Sequence, residues 1–354
     1  MERLPLADVT SAEFAQQTTY LNTATCGVLP QTALAAVREL AGAAAAGRPE
    51  GFGSFDSVTA ARTAFGRLVG VPAARVAVGS AVATHTGLIA AALPPGAEVL
   101  FAEGDFASVI NPFHLRGDLK TRFAPLENLA GAVRPTTALV ALSAVQSADG
   151  RIADLDAVRE AAAAHGARTL VDATQAAGWL PFDASRYDYT VTAGYKWLLG
   201  ARGASYLTVT EGAQPSLVPL HAGWVAAESM WDATYGPMQE LAHDARRFDE
   251  SPAFLAYHAA ERSLALLASV GVEAVHAHNT RLAARYRAGL ESLGHAPVPA
   301  PGSAIVSVPG LGHRQADLAA AGILTAARAG HLRASFHLYN TEAEVDRLLD
   351  ALSA

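Results

Sequence analysis

Apolar and polar positions alternate in blocks through the middle of the chain. Between about residues 75 and 210, short apolar runs recur: "RVAVGS", "EVLFAE", "ALVALSAV", "RTLVDAT", "YTVTAG" and "SYLTV". Runs of this length, bounded by turn residues, read as buried strands. Helical patterns lie between several of them. The clearest is "DLDAVREAAAAHGA" (154–167), where Asp154 can cap the start and Gly166 closes the end. Strands alternating with helices predict an α/β fold with a mostly parallel sheet covered on both faces.

After about residue 240 the pattern changes. Two long helical segments, 251–271 and 272–294, are followed by a short strand, "SAIVSV" (303–308), and a closing helix, "TEAEVDRLLDALSA". Two helices with a small sheet predict a second, smaller α+β unit. We expect residues 20–240 to form the large unit, and residues 1–19 and 241–354 the smaller one. Residues 76–97 carry 22 residues without a formal charge, enough in length for a membrane helix. Gly79, Ser80, Thr84, His85, Gly87 and Pro94-Pro95 interrupt them, so a strand, a polar loop and a buried helix fit better.

Composition narrows the function. A net charge of −7 with no Lys/Arg cluster argues against nucleic-acid binding. The single cysteine, Cys26, excludes an internal disulfide and a cysteine-based metal site. It suits a reducing cytoplasm, and the N-terminal segment has no apolar signal-peptide core. His331 and His337 do not have the spacing of a common metal-ligand pair, so no metal is expected. "HAH" (276–278) reads as a solvated helix face. Of the 26 Lys and Arg residues only Lys120 and Lys196 are lysines. Lys120 reads as a surface charge. Lys196 sits between an apolar strand and a glycine-rich turn.

In an open α/β sheet, ligands bind at the carboxyl ends of the strands. Phe106, Ser147, Asp172 and Lys196 all follow strand-like runs and would share one rim. A desolvated lysine amine becomes neutral and nucleophilic. It can then form a Schiff base with an aldehyde, while an acid nearby keeps a pyridinium nitrogen protonated. Pyridoxal 5′-phosphate (PLP) needs that pairing. The segment "GSAVATHTG" (79–87) enters a helix whose N-terminus could cradle a phosphate.

"LVDATQAAGWLPFD" followed by "YDYTVTAGYKWLLGARGASYL" resembles the signature of fold-type I PLP enzymes of the class V aminotransferase family. That family includes cysteine desulfurases, kynureninases, isopenicillin-N-epimerase-like enzymes and C–S lyases. "YLNTATCGVLP" (20–30) and "LRASFHLYNTEAEVDRLLDAL" (332–352) extend the likeness over nearly the whole chain. The resemblance implies a seven-stranded-type sheet and a homodimer with shared active sites.

It also implies roles. Lys196 would carry the cofactor and move the Cα proton. Asp172 would pair with the pyridinium nitrogen, and Gln175 with the ring's 3′ oxygen. Ser147 stands where an Asn often does similar work. Phe106 would stack on the ring. Val82, Ala83 and Thr84 would hold the phosphate through their backbone, with hydroxyls from Thr192 and Tyr195 and with Trp224 close by. Arg333 would clamp the substrate carboxylate, with Arg328 and Asn22 on the substrate side.

This chain departs from the family pattern at Ala193, Tyr195 and Ala83, where a Ser or Thr, a His and a Thr are common. It also lacks the C-terminal cysteine of a persulfide-forming desulfurase. These points count against a desulfurase. Tyr195 and Trp224 resemble the kynureninase and C–S lyase side of the family, so the expectation is a lyase acting on a small α-amino acid by β-elimination or C–S or C–C cleavage. An aminotransferase or epimerase is the alternative, and a PLP-binding protein without turnover is a remote third. The amino acid itself is not legible.

Overall fold

The computed structural model describes residues 5–353. Residues 1–4 and 354, assigned above to the smaller unit, lie outside the described residues. Seven strands form the central sheet: β1 (Val76–Gly79), β2 (Glu98–Ala102), β3 (Lys120–Ala124), β4 (Thr137–Ser143), β5 (Arg168–Asp172), β6 (Tyr189–Ala193) and β7 (Ser205–Val209). Their order is β1-β7-β6-β5-β4-β2-β3. β7 runs antiparallel to both neighbours and every other pairing is parallel. The expected mostly parallel, seven-stranded sheet is therefore present.

β3 has no counterpart among the runs read from sequence. It is one of the two edge strands, and Lys120 at its start is exposed. An edge strand needs no continuous apolar run, and charge there discourages edge-to-edge pairing.

Both faces of the sheet are buried. Leu100, Val140, Val171 and Tyr206 face one apolar layer, and Val99, Phe101, Leu139, Leu170, Val191 and Leu207 face the other. Helix Leu155–His165 starts where the Asp154 carboxylate accepts the Ala157 N–H at 3.0 Å, and ends at Gly166 with φ 70°. Helix Phe254–Val270 contributes Tyr257, Leu264 and Leu267 to the same layer as Leu100.

A three-stranded antiparallel sheet follows, with His331–Ser335 between Ala326–Arg328 and Ile305–Val308. Leu332, Ala334 and Phe336 pack with Val306, Val308 and Leu348 in a separate core. Strand alternation turns Arg333 and Ser335 the other way. The N-terminal segment lies along that second face. Thr19–Tyr20 pairs with Ile323–Leu324, and Ala24 N–H donates to Ser335 Oγ at 2.9 Å. Among the described residues, no helix is long and apolar enough to cross a membrane.

Candidate active site

The rim formed by the carboxyl ends of the parallel strands holds a cavity of about 180 Å³. Its walls include Phe106, Ser147, Asp172, Gln175, Tyr195 and Lys196, which the sequence reading had singled out, together with Val82.

Lys196 follows β6 on a tight turn. Leu199 N–H donates to Lys196 O at 3.1 Å, and Leu199 takes φ 57°, a left-handed conformation uncommon for a branched residue. The N-terminal segment presses on this turn. Gly27 N–H donates to Tyr195 O at 2.9 Å, and a Cβ on Gly27 would sit 2.1 Å from Lys196 O. The Lys196 side chain is buried, with Nζ 5.0 Å from the centre of the Phe106 ring. Burial lowers the amine to about 8; Asp172 opposes that shift, and Arg333, Arg202 and Arg328 reinforce it.

Asp172 ends β5 and is 4% exposed. Burial raises its carboxyl to about 6, against the opposing pull of Thr174 and Lys196. Thr174 N–H donates to Asp172 Oδ1 at 2.8 Å, and Thr174 Oγ1 accepts Ala193 N–H at 3.0 Å. The strand ends that carry the acid and the lysine are thus tied together.

Gln175 is fully engaged. Its Nε2 donates to Ala24 O at 2.9 Å and Ser147 Oγ at 3.1 Å, and its Oε1 accepts Trp197 Nε1–H at 2.7 Å. Ser147 also accepts from Arg333, at its backbone oxygen and at Oγ. Arg333 Nη2 donates to Thr25 Oγ1 at 2.8 Å, and its Nε is buried without a partner. Arg333 is 1% exposed, and burial lowers it to about 10, with Arg328 adding to the shift. No salt bridge to it occurs among the described residues. Arg328, exposed on the same sheet, reaches Thr25 Oγ1 at 3.3 Å. A buried guanidinium met only by neutral acceptors suits an incoming anion.

Other expected residues, Arg333 and Arg328 among them, lie outside the cavity wall. Ala83 and Thr84 belong to helix Val82–Ala92 behind it, and Thr84 N–H donates to Ala81 O at 3.2 Å. Thr192 is on the opposite face of β6 from Ala193, which does line the cavity; its hydroxyl is buried without a partner. Trp224 packs on Phe55 and Trp231, with ring centres 5.6 and 5.2 Å away. Asn22 bridges to Ser335, and its Oδ1 is buried and unpaired. Cys26 is half-buried beside the wall, and burial raises its thiol.

The solvated reading of "HAH" is corrected. His276 stacks on Trp179 with centres 5.7 Å apart, and His278 Nε2 lies 3.0 Å from Asn340 O.

Sequence reasoning missed Asp105, Thr25 and Arg202. Asp105 is buried and accepts Phe106 N–H at 2.6 Å, Ser143 N–H at 2.7 Å and Gln146 Nε2–H at 3.2 Å, which fixes the Phe106 backbone. Its signal was available, an acid immediately before the aromatic. Thr25 carries no such signal, because its role depends on two arginines more than three hundred residues away.

The cavity suits a flat, anionic aldehyde. It offers a buried amine lowered to about 8, a buried acid, an aromatic ring beside the amine, and free backbone N–H groups where helix Val82–Ala92 begins without a side-chain cap.

The sequence profile of the aminotransferase class-V family matches residues 20–348. An uncharacterized aminotransferase, YcbU, of Bacillus subtilis is 26% identical over 311 residues, 83% of this chain and 82% of that protein. Isopenicillin N epimerase of Streptomyces clavuligerus is 29% identical over 65% of this chain and 64% of that one. A cystine C–S lyase, C-DES, solved with cysteine persulfide, superposes with a TM-score of 0.86 at 24% identity, covering 95% of this chain and 97% of the lyase. A mutant of C-DES with glycine covalently linked to its PLP cofactor superposes equally, at 25% identity over 95% and 96%.

Proposed function

This chain belongs to the aminotransferase class-V family, whose cofactor is PLP, and on that premise we propose that it is a lyase. It would cleave a bond at Cβ of a small α-amino acid. The observation that carries this reading is the economy of the cavity. Lys196 is its one buried amine, no thiol lines it, and the likeness to a C–S lyase adds support.

When bound, PLP supplies an electron sink that makes the substrate Cα–H acidic. The residues then divide the work. Lys196 Nζ is the attachment point for the cofactor aldehyde and afterwards the base at Cα. Its lowered affinity for protons lets it take one near neutral pH. Asp172, buried in the same cavity wall, would meet a pyridinium N–H with its carboxylate. Phe106 would cover one face of the ring. Arg333 takes the substrate carboxylate through its guanidinium fork, and Ser147 and Thr25 fix that fork in advance. After Lys196 takes the Cα proton, the bond from Cβ to its substituent breaks, and the electron pair leaves with the substituent.

A persulfide-forming desulfurase is disfavoured because Cys26 is the sole thiol and stands outside the wall. Transamination is the second reading, favoured by the relative in Bacillus subtilis. In it Lys196 would return the proton to the cofactor side.

We also read the chain as a cytoplasmic homodimer. Phe52, Trp231 and Tyr235 are 76%, 70% and 91% exposed, a large apolar display for a monomer. Light scattering should give twice the chain mass.

The test of the reaction is a product assay on the PLP-loaded protein with a panel of amino acids and no keto acid. Ammonia with a keto acid, over many turnovers, supports a lyase. A single turnover that only an added keto acid renews makes the protein an aminotransferase.

A further inference from the structure

We propose that Arg202 is the cationic anchor for the phosphate of the cofactor. The inference rests on the PLP reading of the cavity and goes beyond it to a residue that the family resemblance did not mark.

A phosphate brings nearly two negative charges into a largely enclosed space. Several side chains expected to meet it are absent or turned away. Ala83 and Ala193 have no hydroxyl, and Thr192 Oγ1 lies on the far face of β6. Ser80 is committed to an acid: its N–H and Oγ donate to Glu250 Oε2 at 2.7 and 2.6 Å. His85, behind this end, is buried and lowered to about 4 by that burial, so it brings no charge. Lys196 is the attachment point, and Arg333 is tied to Thr25 and Ser147.

Arg202 remains. β1 and β7 pair antiparallel with Gly79 opposite Ser205, so residues 202 and 203 run past the ladder beside Ser80 and Ala81. Helix Val82–Ala92 begins there. Gly203, at φ 104°, lets the chain turn back at this point, and Arg202, Gly203, Ser80, Ala81 and Val82 all line the cavity. The central carbon of the Arg202 guanidinium sits over the Tyr195 ring, 4.0 Å from its centre. That contact holds the group in place and leaves its N–H donors for an acceptor. No hydrogen bond or salt bridge of its side chain occurs among the described residues. A free, oriented guanidinium beside a helix N-terminus is a phosphate-binding arrangement in which each part does what the other cannot.

The experiment compares PLP with pyridoxal, which lacks the phosphate. Both are titrated into apo-protein and followed by the absorbance of the attached cofactor. Wild type should bind PLP far more tightly than pyridoxal. Arg202→Gln should weaken PLP binding about 10- to 100-fold, the scale of charge-assisted hydrogen bonds, and leave pyridoxal within about twofold. Arg202→Lys should recover part of the loss. Arg202→Gln binding PLP as wild type does would overturn the assignment. Equal losses for PLP and pyridoxal would overturn it too, by showing a general disturbance. Wild type taking up neither would overturn the cofactor reading, and this inference with it.

Discussion

Two arginines, one in the cavity wall and one behind it, solve one problem in different ways. Arg333, behind the wall residue Ser147, is almost fully buried, held by Ser147 and Thr25, and has no acid beside it. Arg202, in the wall itself, is exposed, sits over the Tyr195 ring, and works with a helix N-terminus. The buried cation is costly to keep and gains most from an anion, which suits a substrate that arrives and leaves on every cycle. The exposed cation costs little, and backbone N–H groups share its load. That suits a group that stays bound. Burial lowers the Lys196 amine to about 8, and both arginines add to that shift.

The largest expected effect comes from removing the centre. Lys196→Ala should abolish the attached-cofactor absorbance and lower turnover by about 10²–10⁴-fold or more, the range of a lost general base. Next is the buried arginine. Arg333→Ala should raise the apparent Kd for amino acids about 10- to 100-fold in spectral titrations, while PLP affinity changes little. Arg333→Lys should not restore binding, because a single ammonium cannot reproduce the fork. Equal damage to PLP and amino-acid binding would erase the contrast between the two arginines.

Gly27→Ala probes the support beneath both. Its Cβ would strike Lys196 O, so a destabilisation of about 1–3 kcal/mol is expected by denaturant unfolding, with slower cofactor uptake. An unchanged midpoint would show that the Lys196 turn shifts freely.

The smallest effect is in pH. Lys196 is lowered from 10.5 to about 8, so the unfolded chain holds its proton more tightly than the folded one. The unfavourable contribution of this group is therefore full below about pH 8 and fades as pH rises toward 10.5. Acylation of Lys196 in apo-protein should rise with pH around a midpoint near 8, because only the free amine reacts. Asp172 raises the lysine, so Asp172→Asn should move that midpoint down. An upward move would place the controlling charge elsewhere.

Much of this architecture is legible in sequence, because it rests on periodicity and strand ends. Apolar runs marked six of the seven strands, and the residues after them marked the rim. Edge strand β3 escaped, because Lys120 and Arg122 break the apolar pattern. Site details were harder where they depend on facing. Thr192 looked suitable by type, but alternation turns it away from Asp172 and Ala193. Thr25 and Arg202 matter only because distant segments meet: one joins two arginines of the small sheet, and the other is carried to Ala81 by the pairing of β1 with β7.

The central claim is that Lys196 holds the cofactor. The direct measurement is borohydride reduction of the PLP-loaded protein, followed by mass mapping of its peptides. The chain has only two lysines, so a labelled lysine side chain can be one of two. The account predicts the reduced pyridoxyl mass on the peptide containing Lys196 and none on that containing Lys120. Label on Lys120 alone, or no label on either, would contradict it.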